Sequence, residues 1–526
     1  MIFFAVVLLF LNQTVFAAVP GCLESGHKYG LGRPGAAQQE VPEGLEEFYS
    51  QKVSWYPCET EGGMSAASTV TGYECAKIMV PLDYTDPEGV TIQVAMKKYL
   101  ATGSQFQGSL FLNPGGPGES GVLAVEEVGA VSAFAELGGA YDVVGFDPRG
   151  VGSSTPVLCG DQKQQDSPGP DSTDVSPPPR DEGAQEERDE AERQIVASMG
   201  AITAARERCE TSTQPVELLD HVDTQSAARD MDIMRALVGA DELNYIGLSY
   251  GTYLGTLYAD LFPEKVGRFV LDGAIDPSLS LAERDRQQDA GFERALRPLV
   301  EQCLATSGCP LSGDTDTAVQ QMRDFAASLD ADPLPTGDPD APMTETSFWV
   351  ATEVALYSQL VWSEYYTALA RAMTQRDGQA LAHAIDGTVL DVSRLAVTCM
   401  DYPLQGDMED WIRESITTRQ ESPIFGREGS VNAECSAWGH NGDKDPEEIH
   451  AEGANPILVV GTTGDPATPY EWAQSLAAQL DSGQLLTWEG NGHLAYRHAD
   501  PCVTSAVNTY LLTGDMPDDG LICSGE

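Results

Sequence analysis

The chain has 526 residues, is 42% hydrophobic and carries a formal charge of −51 at pH 7. That is enough apolar material for a large core, arranged as two to three average domains or as one core with a large insertion. The excess of 81 acidic over 30 basic residues excludes phosphate-rich partners such as nucleic acid, whose binding relies on basic groups.

Residues 1–11 are apolar but too short to cross a bilayer. With Ala17 and Ala18 beyond them, residues 1–21 read as a signal peptide, although no Lys or Arg stands near Met1. Val19-Pro20-Gly21-Cys22 follows, so the one membrane attachment to weigh against simple secretion is a lipid anchor at Cys22. Residues 22–44, rich in Gly, Pro, Gln and Glu, read as a flexible tether.

Ser109-Leu110-Phe111-Leu112 reads as an early strand that runs into Asn113-Pro114-Gly115-Gly116-Pro117-Gly118. Glycines there let backbone N–H groups approach a bound group closely. A phosphate-binding loop is set aside, because the Lys and Ser/Thr of a Walker sequence are missing. The next buried strand leads into Asp147-Pro148-Arg149-Gly150, where Asp147 and Arg149 are expected to brace a turn rather than do chemistry. Residues 161–190, rich in Pro, Asp and Ser, read as a disordered surface insertion.

Leu243-Asn244-Tyr245-Ile246 then forms an apolar strand, Gly247-Leu248-Ser249-Tyr250-Gly251 a tight corner, and the stretch from Thr252 a helix. Strand, one-residue corner and helix make a nucleophile elbow, which holds the Ser249 hydroxyl exposed at a helix N-terminus. The fold class this predicts is α/β: the α/β-hydrolase doubly wound, mostly parallel sheet. Residues 45–276 form its first part.

Over residues 277–454 the pattern turns helical, as in Phe348-Trp349-Val350 continued by Tyr357, Leu360, Val361, Tyr365, Leu369 and Met373. This is an inserted helical cap, and its aromatic stripe is expected to be cap core rather than a substrate box. Pro456-Ile457-Leu458-Val459-Val460 resumes the sheet within residues 455–526, and Asp465 projects from its carboxyl end.

Of seven histidines, His493 follows a late strand-like run, Gln484-Leu485-Leu486-Thr487-Trp488, where this fold needs its base. His498 is the fallback. Serine, acid and histidine thus occur in hydrolase order, with Ser249 as nucleophile, His493 as base and Asp465 orienting it. The oxyanion hole is expected from the N–H groups of Tyr250 and Gly116, with Gly115 next. This chemistry needs no metal or organic cofactor.

Eleven cysteines fit an oxidising compartment, so the protein is expected to be secreted or extracytoplasmic. Ten fall into neighbouring pairs, Cys58–Cys75, Cys159–Cys209, Cys303–Cys309, Cys399–Cys435 and Cys502–Cys523, although sequence alone does not settle connectivity. Cys22 is left over.

Together the glycine loop, Asp147-Pro148-Arg149-Gly150-Val151-Gly152, the elbow, Leu271-Asp272-Gly273 and Gly464-Asp465-Pro466-Ala467-Thr468-Pro469 resemble the secreted tripeptidyl aminopeptidases and related actinobacterial hydrolases of the proline-iminopeptidase clan. Phe48-Tyr49-Ser50-Gln51 and Val80-Pro81-Leu82-Asp83-Tyr84 resemble the opening strands of that family. The resemblance spans about residues 45–525 and departs from the family at the inserted stretch and at Glu119.

The resemblance implies a monomeric exported aminopeptidase that releases tripeptides from free N-termini. An exported carboxylesterase with the same triad, or a non-catalytic surface binding protein, would share the fold. The substrate is thus a peptide or an ester. An aminopeptidase also needs a partly desolvated carboxylate for the substrate ammonium. Asp401, beside a predicted disulfide, is the first candidate and Glu119, beside the glycine loop, the second.

Overall fold

The structure, a computed structural model, describes residues 41–59, 64, 72–126, 131–160, 184–385, 392–426, 429–498, 500–518 and 520–524. The signal peptide, Cys22 and nearly all of the expected tether lie outside the described residues.

A ten-stranded sheet runs in the order β1-β2-β3-β5-β4-β6-β7-β8-β9-β10, its central strands apolar runs buried on both faces. The antiparallel edge consists of β1 (Tyr56–Pro57), β2 (Tyr73–Pro81) and β3 (Thr91–Tyr99), with β3 pairing antiparallel to β5. From there the strands are parallel: β5 (Tyr141–Asp147), β4 (Gly108–Asn113), β6 (Leu243–Leu248), β7 (Val266–Asp272), β8 (Ile457–Gly464), β9 (Gly483–Asn491) and β10 (Ile522–Ser524).

Alternation along each parallel strand feeds two cores. Ile457 and Val459 face one, with Phe111, Tyr245 and Phe269; Leu458 and Val460 face the other, with Leu110, Leu112 and Ile246. The chain leaves β4 toward β5 on one side and returns to β6 on the other. This reversal opens a crevice beyond the carboxyl ends of β4 and β6, where open α/β sheets bind ligands.

Register then aligns the strand ends, pairing Asn113 with Gly247, Leu248 with Asp272 and Asp272 with Val460. The glycine loop, Ser249 and the loop carrying Asp465 therefore emerge side by side.

Between β7 and β8 lie helices from Leu281–Ala305 to Val431–Trp438. Many share a separate core built on Phe292, Leu299, Phe348, Trp362 and Leu369. Most of the aromatic stripe packs in this cap core, but Leu360 is 66% exposed and Tyr357, at the edge of the core, also meets His493.

Two expectations need correction. Phe48-Tyr49-Ser50 belongs to the helix Glu46–Ser50, not to a strand, and Phe48 plugs one face of the core. Residues 184–190 of the expected disordered insertion open the 29-residue helix Ala184–Ser212. Ala191 and Ile195 on that helix pack with Trp411, Ile412 and Ala433 of the cap, and Arg188 pairs with Glu409. The cap layer thus recruits a segment that precedes the serine. Residues 161–183 lie outside the described residues.

All five disulfides join the neighbouring pairs named above. They place the protein in an extracytoplasmic, oxidising compartment. Among the described residues, no helix is long and apolar enough to cross a membrane.

Candidate active site

Ser249 stands alone between β6 and the helix Tyr250–Leu261, with φ 55° and ψ −124°. A non-glycine residue holds such a conformation only where its surroundings impose it. Here the Ser249 N–H donates to the Asp272 carbonyl at 2.9 Å, while the Ser249 carbonyl accepts from the N–H and hydroxyl of Thr252 at 2.8 and 2.6 Å. The corner closes so tightly that a Cβ on Gly247 would lie 2.3 Å from the Gly251 carbonyl oxygen. That contact is why the sequence needs glycine at the flank of the elbow.

The glycine loop presses on the same corner. A Cβ on Gly115 would lie 2.6 Å from the Leu248 carbonyl oxygen and 2.9 Å from the Ser249 Cβ, and Gly115 also has φ 110°. The Gly115 N–H already donates to Asn113 Oδ1 at 3.0 Å, whereas Gly116 is exposed.

The loop exit is held by Asp147. Its carboxylate accepts from the Ser120 hydroxyl at 2.6 Å, from Val122 N–H at 3.0 Å and from Ser153 N–H at 2.7 Å. Burial pushes this carboxyl up, and those three donors oppose the shift. Arg149 is fully buried, forks onto Asp230 at 2.7 and 2.8 Å, and binds the carbonyls of Pro81, Leu82 and His221. Neither residue is at the reacting centre.

His493 and Asp465, from loops after β9 and β8, meet in a buried pair. The Nδ1 atom of His493 lies 2.9 Å from both carboxylate oxygens of Asp465, with the two residues 2% and 4% exposed. Asp465 is fixed in turn by the Ala467 and Thr468 N–H groups, each at 2.9 Å, and by the Thr468 hydroxyl at 3.0 Å. That hydroxyl also lies 3.2 Å from His493 Nδ1. With Nδ1 committed to the acid, Nε2 is on the opposite edge of the ring.

The imidazole sits over the elbow's support. A Cβ on Gly273, next to Asp272, would lie 3.0 Å from His493 Cε1. His498, the fallback, lies in the turn Tyr496–His498, with Nδ1 2.8 Å from the Leu494 carbonyl and its ring on Trp488. It supports the histidine loop.

Asp272 links the parts. Its carbonyl holds Ser249, and its carboxylate accepts from Ala495 and Tyr496 N–H at 3.1 and 2.9 Å. Burial raises this carboxyl to about 6, against those two donors and the nearby His493. Leu271-Asp272-Gly273 stood out in the sequence only as a family motif; the bracing role of Asp272 was not readable, because both N–H partners lie over 200 residues away. Thr468 was missed as well, although a hydroxyl three residues beyond the proposed acid is a signal that could have found it.

The ammonium candidates occupy different places. Asp401 ends the helix Val392–Asp401, and its two carboxylate oxygens accept from Thr224 N–H at 2.7 Å and from the Thr224 hydroxyl at 2.6 Å. That hydroxyl also lies 2.5 Å from the Tyr250 phenol, so Asp401 connects to the elbow through two intervening side chains. Burial pushes the Asp401 carboxyl up to about 7. Glu119 instead shares the surroundings of the Tyr357 phenol with Asp465, with Glu353 of the cap helix Glu345–Leu356 and with Arg394; burial, foremost, and the three carboxylates raise that phenol, while Arg394 lowers it.

Residues 422–523, which carry Asp465 and His493, match the family model described as TAP-like protein. The chain is 33% identical over 504 residues to serine protease Hip1 of Mycobacterium tuberculosis, covering 91% of this chain and 92% of that protein. It is 31% identical over 492 residues to a tripeptidyl aminopeptidase of Streptomyces lividans, covering 90% and 86%. To carboxylesterase B of Mycobacterium tuberculosis it is 35% identical over 488 residues, covering 90% of each. With identity of this order along nearly the whole chain, together with a serine at a strand–helix elbow and a buried histidine–aspartate pair, the protein belongs to the TAP-like family of α/β-hydrolase-fold serine hydrolases.

Proposed function

We propose that this protein is an exported aminopeptidase that releases short peptides, tripeptides in the first instance, through an acyl-enzyme. The observation that carries the reading is the buried His493–Asp465 pair at 2.9 Å, set over the backbone that supports Ser249.

Ser249 attacks the scissile carbonyl while His493 Nε2 takes its proton, and Asp465 holds the ring's tautomer and stabilises the imidazolium. The oxyanion is received by the N–H groups of Tyr250 and Gly116, each lowering the barrier by about 2.7–4 kcal/mol. His493 then protonates the leaving amine, and water, activated by the same ring, releases the acyl group.

For the free N-terminus, Glu119 is the better candidate on this reading. It directly follows the glycine loop in the chain, whereas both carboxylate oxygens of Asp401 already accept hydrogen bonds from Thr224. Glu119→Gln should therefore erode the preference for free over acetylated N-termini, and Asp401→Asn should leave it. The reverse pattern would restore Asp401 as the ammonium partner.

The second reading is an exported carboxylesterase, favoured by the relative of that name. Wild type and Ser249→Ala are compared on a free-amino tripeptide anilide, its N-acetylated twin and a short-chain nitrophenyl ester. Cleavage of the free anilide but not its twin, lost in the variant, supports the aminopeptidase. Ester cleavage alone selects the esterase, and inactivity on all three leaves a binding protein.

A further inference from the structure

The helix Glu345–Leu356 ends at Tyr357, whose φ of −63° and ψ of −26° continue the helical turn. The last carbonyls of a helix have no partner within it and must find one elsewhere. The Tyr357 carbonyl accepts the His493 N–H at 2.8 Å. A bond from the cap therefore fixes the backbone of the residue proposed as the catalytic base.

Three further contacts converge there. The Tyr357 ring meets the imidazole edge-on, with centroids 5.6 Å apart and planes at 79°. Ser358 pairs with Gly492 in an antiparallel bridge, and its hydroxyl lies 3.4 Å from His498 Nε2. The approach is close, for a Cβ on Gly492 would lie 2.9 Å from the Tyr357 carbonyl oxygen. On its other side, Tyr357 packs at 5.4 Å on Phe292, which packs on Phe425, which meets Trp349. These rings belong to the core of the cap.

We propose that Tyr357 is a positioning residue for His493, through which the cap holds the catalytic base in register with Asp465. The inference rests on the serine-hydrolase reading and deepens it: the cap is part of the catalytic assembly as well as a cover over it. Asp465 fixes one edge of the ring by hydrogen bonds, but a hydrogen bond to Nδ1 alone leaves the imidazole plane able to tilt. The Tyr357 edge limits that tilt, and the carbonyl sets where the loop begins.

The test compares Tyr357→Phe, Tyr357→Leu and Tyr357→Ala with wild type. Steady-state kinetics use a short-chain nitrophenyl ester, too small to rely on cap subsites, alongside the rate at which a fluorophosphonate inactivates the enzyme and the unfolding temperature. Misplacing a reacting group by an ångström costs about 100-fold. Tyr357→Ala and Tyr357→Leu should lower kcat and the inactivation rate together, by about 10- to 100-fold, with KM within about 3-fold. Tyr357→Phe, which keeps the ring, should retain wild-type kcat.

Tyr357→Leu keeps an apolar filler against Phe292 and decides the matter if the alanine variant does not fold. A folded Tyr357→Leu enzyme with wild-type kcat and inactivation rate, or a loss confined to KM, overturns the proposal. Failure of the underlying reading looks different: Ser249→Ala would still hydrolyse the ester or take up the fluorophosphonate.

Discussion

Gly115 shows how a single missing side chain makes the crevice. Its φ of 110° and the 2.6 Å that would separate a Cβ from the Leu248 carbonyl leave no room for even a methyl group without moving the elbow. Gly115→Ala should fold less stably by about 1–3 kcal/mol. It should also lose about 10- to 1,000-fold in kcat, because the loop that presents the oxyanion donor is displaced. Kinetics on the nitrophenyl ester, paired with chemical denaturation, would check both; unchanged kcat would show that the loop serves another purpose.

Asp401 makes a different prediction at the same scale. Its carboxyl rises on folding from 3.8 to about 7. The native state then binds a proton that the unfolded chain has released, so stability falls as pH rises through that window. Asp401→Asn removes this contribution, and should show a smaller drop in unfolding temperature than wild type between about pH 5 and about pH 8. An equal drop in both proteins would mean that Asp401 does not carry the raised carboxyl.

Among the elements, disulfides add covalent ties between segments that also pack on one another. Cys159–Cys209 closes a 50-residue separation and fastens the helix Ala184–Ser212 to the loop after β5. Replacing both cysteines by alanine should cost about 2–4 kcal/mol, read by denaturant unfolding. Cys399–Cys435 joins the helices Val392–Asp401 and Val431–Trp438 within the cap.

The parallel strands were the most legible elements, because continuous apolar runs such as Ile457-Leu458-Val459-Val460 have few other uses. Their ends were not: β8 runs on through Gly464 and β9 through Asn491, into polar residues that a hydrophobic pattern reads as loop. The placement of Ser249, Asp465 and His493 just past strands was legible because each follows such a run. The supporting contacts of Asp272 and Tyr357 were not, since each depends on which loops meet in space. The helix Ala184–Ser212 was misread in part because acidic, alanine-rich sequence beside a Pro-rich stretch carries no strong apolar face, and its partners lie in the cap.

For the molecule as a whole, the order of the strands assembles the centre. The serine follows β6, the aspartate β8 and the histidine β9, with β7 between serine and acid. Asp272 at the end of β7 bonds both to the elbow and to the histidine loop. The cap then closes on the same loop through Tyr357. Sheet and cap thus both bond to the histidine loop, and on the proposed reading a segment inserted far from the serine in sequence bears on the chemistry. The charge of −51 is of a kind that suits solubility and carries no specific information on catalysis.

The most direct measurement of the central claim is the site and rate of fluorophosphonate labelling, read by peptide mass spectrometry in wild type, His493→Ala and Asp465→Ala. The account predicts rapid labelling on Ser249 in wild type, slowed by about 1,000-fold or more when His493 is removed and less severely when Asp465 is removed. Labelling at another residue, or an undiminished rate without His493, would contradict it.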